Sequence, residues 1–326
     1  MKVLVIGTGA VGGFYGALLA KQGVEVSVLA RSDYAHIQRH GIAVHSDTGL
    51  GDFHFRPAAV VRRGAELPDP PDYVLLCVKV VEGVDRIGLL RDAVGPATAI
   101  VLICNGVEVE SGIAEGFPQH ELISGLAFIC VTRLAPGRIW HQAYGRLALG
   151  NYPSGVSAKT QALAAAFARS GIACVTSDTI VTARWQKCLW NAAFNPLSVL
   201  SGGLATGDIL AHQETLVRAL MAEVAQIAQA VGHPLPPDAI DRNIDSTRQM
   251  PPYKTSMLLD FEAGRPMETE AILGNAVRAG RRAGVALPQL ETVYALMKLR
   301  ELQLTQARAG ATHTNPPSIP NTCPVM

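Results

Sequence analysis

The stretch that decides the fold is Val3-Leu4-Val5-Ile6-Gly7-Thr8-Gly9-Ala10-Val11-Gly12. Its apolar, largely β-branched start predicts a buried strand, and the residues from Ala10 to Lys21 predict a helix. The pattern GxGxxG between a strand and a helix is typical of a loop that binds the pyrophosphate of a dinucleotide. We therefore expect the loop to contact such a cofactor through Gly7, Thr8, Gly9, Ala10, Val11 and Gly12. A glycine-rich turn without a ligand is the competing interpretation.

The residues after the second predicted strand, Val28-Leu29-Ala30-Arg31-Ser32, indicate which dinucleotide is bound. An acidic side chain at this place would grip the ribose hydroxyls of NAD. Here a guanidinium stands instead, and a guanidinium suits a phosphate dianion. We therefore predict that the cofactor is NADP(H) and that Arg31 binds it. Two alternatives stay open: Arg31 is a solvated residue, or Asp33 supplies the carboxylate that NAD requires.

The alternation of short apolar runs with helical patterns up to about residue 180 predicts a parallel sheet covered by helices. Consecutive apolar positions indicate strands that are buried on both faces, and these runs are Val3 to Ile6, Glu25 to Ala30, Tyr73 to Val78, Ala99 to Ile103 and Leu122 to Ile129. The predicted fold class is α/β, with an N-terminal Rossmann-type doubly wound parallel sheet. We interpret residues 41–61 as an inserted hairpin and residues 138–150 as a later pair of strands.

The pattern changes after Thr179 to long helical periodicity. Apolar residues then recur every three or four positions, as in Leu216, Leu220, Val224, Ile227 and Val231. An all-helical C-terminal domain is therefore expected. The predicted domains are a Rossmann-like, NADP-binding domain over residues 1–178 and a helical substrate domain over 179–307. Residues 308–326 lack an apolar period and are predicted to form a flexible tail.

The composition excludes several classes of protein. The chain has 326 residues, of which 48% are hydrophobic, and its formal net charge is +1. Such a balance predicts a folded protein without the surplus of charge that nucleic acid or anionic lipid would require. No apolar run is long enough for a membrane span. The cysteines have no metal-binding spacing, and the pair His36 and His40 lacks an acidic partner, so no metal is expected. We predict a cytoplasmic enzyme of small molecules, and a homodimer stays possible.

A polar stripe occurs in the segment Arg184-Trp-Gln-Lys-Cys-Leu-Trp-Asn-Ala-Ala-Phe-Asn-Pro. Lys187, Asn191 and Asn195 follow one another at steps of four, so they share one face of a helix that Pro196 is expected to help terminate. A lysine among apolar neighbours tends to have a lowered pKa, which suits proton donation near neutral pH. The competing interpretation is a surface lysine with two structural amides.

Taken together, these motifs make the protein similar to ketopantoate reductases, the NADPH-dependent enzymes that reduce 2-dehydropantoate to pantoate. The resemblance covers about residues 1 to 305. It depends on Gly7 to Gly12, Arg31, Val78-Lys79, Asn105-Gly106, Lys187 to Asn191 with Asn195-Pro196, Ser256-Met257-Leu258 with Asp260, and Gly264-Arg265-Pro-Met-Glu268.

The resemblance implies a role for each matched residue. Lys187 would be the general acid, and Asn191, Asn195 and Ser256 would bind the substrate. Glu268 would contact the cofactor and the reacting end of the substrate, and so count as catalytic. Lys79 and Asn105 would bind the cofactor, and Asn105 would also reach the substrate.

The positions of Lys79 and Asn105 agree with this assignment, because both follow predicted strands whose carboxyl ends form the ligand edge of a doubly wound sheet. On their own, Lys79 is equally well a capping cation and Asn105-Gly106 a common turn pair. Two rival functions stay open. One is an NADP-dependent reductase of another 2-oxo acid, and the other is a non-catalytic protein that senses NADP(H).

Overall fold

The computed structural model describes residues 1–313. Its strands are β1 Lys2–Ile6, β2 Glu25–Leu29, β3 Ile42–Ser46, β4 Phe53–Phe55, β5 Val60–Val61, β6 Tyr73–Leu76, β7 Ala99–Ile103, β8 Leu122–Ala135, β9 Arg138–Asn151 and β10 Cys174–Thr176. Its helices are α1 Ala10–Lys21, α2 Tyr34–His40, α3 Arg86–Arg91, α4 Ser111–Gly116, α5 Ala158–Arg169, α6 Ile180–Leu200, α7 Thr206–Ala230, α8 Ala239–Arg248, α9 Ser256–Glu262, α10 Asn275–Arg282 and α11 Pro288–His313.

The strands form one sheet in the order β4-β3-β9-β8-β7-β6-β1-β2-β5, with β10 also paired to β9. All neighbours from β5 to β8 are parallel. Helices α1 and α5 pack on one face of the sheet, and α3 and α4 pack on the other. This arrangement confirms the doubly wound sheet, to which two antiparallel pairs, β8 with β9 and β3 with β4, are added. The helical part follows as predicted from the periodicity.

The interpretation of residues 41–61 as one hairpin is correct for β3 and β4, which pair antiparallel. It is wrong for β5, which pairs parallel with β2 at the opposite edge of the sheet. Strand pairing depends on the partner rather than on the local sequence, so a two-residue strand gives no signal of its own. The consequence is that the residues after β5 lie beside those after β2.

The interpretation of residues 138–150 as a pair of strands is wrong. They form the single strand β9, which pairs antiparallel along β8. This strand contains a bulge at Gly145, where Tyr144 and Gly145 both have positive φ and the register with β8 shifts. A bulge adds a residue to one strand and re-aims its neighbours without ending the strand.

The helical part packs around the long helix α6, whose apolar residues form a core with α7, α9 and α11. Pro196 lies inside α6 rather than at its end, since the helix continues to Leu200. Buried neighbours such as Phe194 and Val199 keep this segment helical despite the hydrogen bond that a proline omits. Helix α11 extends to His313, into the predicted tail, and residues 314–326 lie outside the described residues. Within residues 1–313, no helix is long and apolar enough to cross a membrane.

Candidate active site

The glycine loop between β1 and α1 has the shape that a dinucleotide needs. Gly7 has a φ of 97°, and a Cβ on Gly12 would collide with the carbonyl oxygen of Gly7. By contrast, nothing lies within 4 Å of the place where a Cβ on Gly9 would stand. Gly9 is also the N-cap of α1, and no side chain caps that helix end. The amides of this end are therefore open to an anion, so the loop fits the pyrophosphate of a dinucleotide.

Two arginines lie at the ends of neighbouring strands beside this loop. Arg31 follows β2 and is exposed, and Arg62 follows β5 and is also exposed. The nearby Asp33, by contrast, is buried and accepts a hydrogen bond of 2.8 Å from the Arg133 Nε. Although burial opposes it, hydrogen bonds from Arg133 and Ser32 hold the pKa of Asp33 below its usual range. The Asp33 carboxylate is thus already occupied within the protein.

The ammonium of Lys187 lies against the N-terminal sheet. It donates to the Asn105 Oδ1 at 3.0 Å and to the Ala127 carbonyl oxygen at 2.7 Å. Asn105 follows β7, and Ala127 of β8 lies two residues beyond Gly125, the partner of the last residue of β7. Helix α6 therefore carries the lysine to the carboxyl end of β7. Lys187 is half-buried.

This environment lowers the pKa of Lys187 from its ordinary value to about 8. Burial is the main cause, and the positive charge of Arg184 adds to it, whereas the negative charge of Glu268 opposes both. A lysine with a pKa near 8 releases a proton far more readily than a solvated lysine does. The sequence prediction of a desolvated lysine is confirmed.

Glu268 connects the two halves of the chain at this point. Its Oε1 accepts from the Val80 amide and its Oε2 accepts from the Asn105 Nδ2, each at 3.1 Å. Since the lysine can only donate and the carboxylate can only accept, the Asn105 amide is oriented by both partners. Glu268, Asn105 and Lys187 therefore form one continuous chain of hydrogen bonds.

A cleft of about 1380 Å³ opens in front of Lys187, between the sheet and the helical part. Asn105, Asn191 and Ser256 line it together with the lysine. The lining residues include the cations Lys187, Arg146 and Arg242, and none of those that the structure describes is aspartate or glutamate. The cleft is thus suited to an anionic molecule.

Two of the predicted site residues, Asn195 and Lys79, do not line the cleft. Asn195 is buried one turn beyond Asn191, is not among the residues that line the cleft, and leaves its Oδ1 without a hydrogen-bond partner within residues 1–313. A step of four residues rotates by about 40° on a helix, so a second step turns the side chain away from the cleft. Lys79 forms an ion pair with Asp260 of α9, whose other oxygen accepts from the Arg265 Nε at 3.0 Å.

The sequence analysis missed Arg184, a buried arginine whose hydrogen bonds hold the segment around Asn105. Its side chain is only 2% exposed, and its Nε lies 2.6 Å from a carboxylate oxygen of Glu110, which is 1% exposed. One guanidinium nitrogen donates to the carbonyl oxygens of Cys104 and Gly106, at 2.8 and 3.2 Å. These carbonyls flank Asn105, so Arg184 holds the segment that carries the amide. The available signal was a charged residue three positions before Lys187 in an apolar helix.

Comparison with known proteins places this geometry in a family. The model described as ketopantoate reductase PanE/ApbA matches residues 3–154, and that described as ketopantoate reductase PanE/ApbA C terminal matches residues 179–301. A 2-dehydropantoate 2-reductase of Nostoc sp. is 34% identical over 304 residues, which cover 91% of this chain and 94% of the relative.

Solved structures agree with this result. The crystal structure of 2-dehydropantoate 2-reductase from Methylococcus capsulatus has a TM-score of 0.90 and 66% identity, and the match covers 94% of this chain and 98% of that one. The enzyme of the same name from Geobacter metallireducens has a TM-score of 0.85 and 34% identity, with coverage of 94% and 100%. The chain therefore belongs to the ketopantoate reductase family and is an oxidoreductase of that type.

Proposed function

We propose that the protein reduces 2-dehydropantoate to pantoate with NADPH, and that Lys187 is the general acid. The observation that carries the proposal is the half-buried Lys187. It lines a cleft that has no acidic lining residue in the described chain, and its ammonium donates a hydrogen bond to Asn105. The names of the similar enzymes from Nostoc sp. and Methylococcus capsulatus support the substrate.

The reaction needs a hydride and a proton. NADPH, when bound on the glycine loop, supplies the hydride to the keto carbon. Lys187 donates a proton to the keto oxygen as negative charge develops there, which leaves a neutral amine and a secondary alcohol. Its lowered pKa suits this step, because a weakly held proton transfers more easily near neutral pH.

The polar side chains around Lys187 orient the ammonium and the substrate. Glu268 fixes the amide of Asn105, and Asn105 in turn fixes the ammonium of Lys187. Asn191 and Ser256 line the cleft and are assigned to substrate binding. The family resemblance also assigns Asn195 to substrate binding, although its buried side chain does not line the cleft in this structure. Lys79, the loop residues Gly7 to Gly12 and Glu268 are assigned to the cofactor.

The test of the proposed function is the loss of reduced-nicotinamide absorbance when the purified protein is mixed with ketopantoate and either NADPH or NADH. We expect rapid oxidation of NADPH and slower oxidation of NADH. A panel of other 2-oxo acids with NADPH is the second arm. If another 2-oxo acid were reduced faster than ketopantoate, that acid would be the substrate. Binding of NADPH without turnover of any acid would indicate a non-catalytic protein.

The choice of NADPH leads to a prediction for Arg31. We expect Arg31→Ala to raise the KM for NADPH about 10- to 100-fold, because a guanidinium bonded to a phosphate contributes roughly 1.5–3 kcal/mol. The KM for NADH should change little, since that cofactor lacks the 2′-phosphate. Steady-state kinetics with both cofactors measures this. Arg91→Ala, which removes another arginine of the N-terminal half, is the control, and equal losses with both cofactors would contradict the assignment.

We propose a reducing compartment, the cytoplasm, as the place of the reaction. The five cysteines within the described residues are free thiols. Burial raises the pKa of the Cys188 thiol to about 12, which keeps it protonated and unreactive.

A further inference from the structure

A second cation stands beside Lys187 in the cleft. Arg146 of β9 is the cross-strand partner of Phe128 in β8. Its guanidinium carbon lies 4.1 Å from the centroid of the Phe128 ring, and the Lys187 ammonium lies 5.3 Å from the same centroid. The two positive groups therefore share one aromatic ring.

The register of the sheet turns Arg146 towards α6. Leu126 and Ala148 pack on Ile180 of that helix and are themselves cross-strand partners. Arg146 and Phe128 stand two residues from Ala148 and Leu126, and side chains two apart on a strand share a face. The register shift at Gly145 begins only beyond this pair, so it leaves the relation intact.

The Arg146 side chain lines the cleft, is exposed, and has no ion-pair partner among the described residues. Within residues 1–313, no carboxylate lies within the 4.0 Å ion-pair distance of its guanidinium, whereas Arg242, the other arginine of the cleft, pairs with Asp238 at 3.0 Å. Its charge also contributes, after burial and Arg184, to the lowered pKa of Lys187. Two neighbouring cations in a cleft whose described lining residues include no carboxylate form a site for an anion.

We propose that Arg146 binds the carboxylate of the 2-oxo acid and so directs the adjacent keto group to Lys187. A guanidinium fork matches the two oxygens of a carboxylate. In a 2-oxo acid the carboxylate is bonded directly to the keto carbon. Arg146 can therefore bind the carboxylate while Lys187, at the same Phe128 ring, contacts the keto oxygen of the same molecule. This inference rests on the proposed function, and it adds the residue that distinguishes an acid from its neutral derivatives.

Arg146→Gln tests the inference in the full-length protein. We expect the KM for ketopantoate to rise about 10- to 100-fold, as for the loss of one charged hydrogen-bonding group, and kcat to fall by a smaller factor because the keto group is less well oriented. Arg146→Lys should recover part of the loss. The dissociation constant for NADPH, measured by fluorescence titration, should stay unchanged and shows that the variant is folded. Arg138→Gln, an exposed arginine elsewhere on β9, is the matched control.

The methyl ester of ketopantoate separates carboxylate binding from a structural role. The wild type should prefer the acid over the ester, and Arg146→Gln should lose most of that preference. An unchanged KM for the acid, or an equal loss with acid and ester, overturns the role of Arg146 while the proposed function stands. A wild-type protein that reduces no 2-oxo acid overturns the proposed function and this inference together.

Discussion

Lys187→Ala is expected to lower kcat by a factor of about 10² or more, which is the usual contribution of a positioned general acid. The ammonium lines the cleft and donates to the Asn105 Oδ1 at 3.0 Å, so its removal leaves the developing oxyanion without the proposed proton source. The dissociation constant for NADPH should change little, because the glycine loop and Arg31 are untouched. Oxidation of NADPH under saturating substrate measures the effect.

The control for this variant is Lys159→Ala, which removes a half-buried lysine of α5 that does not line the cleft. It should leave turnover unchanged. Turnover of Lys187→Ala close to that of the wild type would remove the lysine from the mechanism, and loss of NADPH binding in that variant would show that its effect is structural.

The pH profile of the wild type reports on the same ammonium. A general acid acts only while it is protonated, and Lys187 is protonated below a pKa of about 8. We therefore expect kcat/KM for reduction to be level on the acidic side of this value and to fall as the pH rises through it. The residual activity of Lys187→Ala should lack this fall. If kcat/KM of the wild type stayed level up to the pKa of an ordinary lysine, the lowered pKa of Lys187 would be contradicted.

Arg184→Met should lower the free energy of unfolding by about 3–5 kcal/mol, because it leaves the buried Glu110 carboxylate without its counter-charge. The carbonyl oxygens of Cys104 and Gly106 would also lose their donor. Denaturant titration followed by circular dichroism measures this loss. A fall in kcat is expected as well, since the segment that carries Asn105 is no longer held.

The double variant Arg184→Met with Glu110→Leu should recover most of the stability, since a buried ion pair can be replaced by apolar groups at little cost. The control is Arg63→Met, which removes one member of an exposed pair with Glu66. Exposed pairs contribute about 0–1 kcal/mol. If Arg184→Met were no more destabilising than this control, the buried pair would not contribute to stability as we expect.

The elements that could be predicted from sequence are those whose signal is local. The run from Val3 to Gly12 carries both the strand and the turn within ten positions, and the polar stripe of α6 follows from helical spacing. Pairing between distant segments has no such signal. For this reason β5 was assigned to the wrong partner and β9 was divided in two.

The same limit applies to the site. Helical spacing groups Lys187, Asn191 and Asn195 on one face, but only Lys187 and Asn191 line the cleft. Each step of four residues rotates the side chain by about 40° around the helix axis, and after two steps Asn195 no longer faces the cleft. Glu110 reaches Arg184 only through the fold, so neither residue could be recognised as half of a buried pair. The orientation of Arg146 follows from its pairing with Phe128, which joins two separate strands and has no signal in the local sequence.

The chain of hydrogen bonds from Val80 through Glu268 and Asn105 to Lys187 alternates between the two halves of the polypeptide. Neither half contains a complete version of it. A hybrid built by joining the amino-terminal half of one relative to the carboxy-terminal half of another would need the donors and acceptors on both sides of the seam to match. Separately evolved changes at these positions would therefore have to arise in pairs.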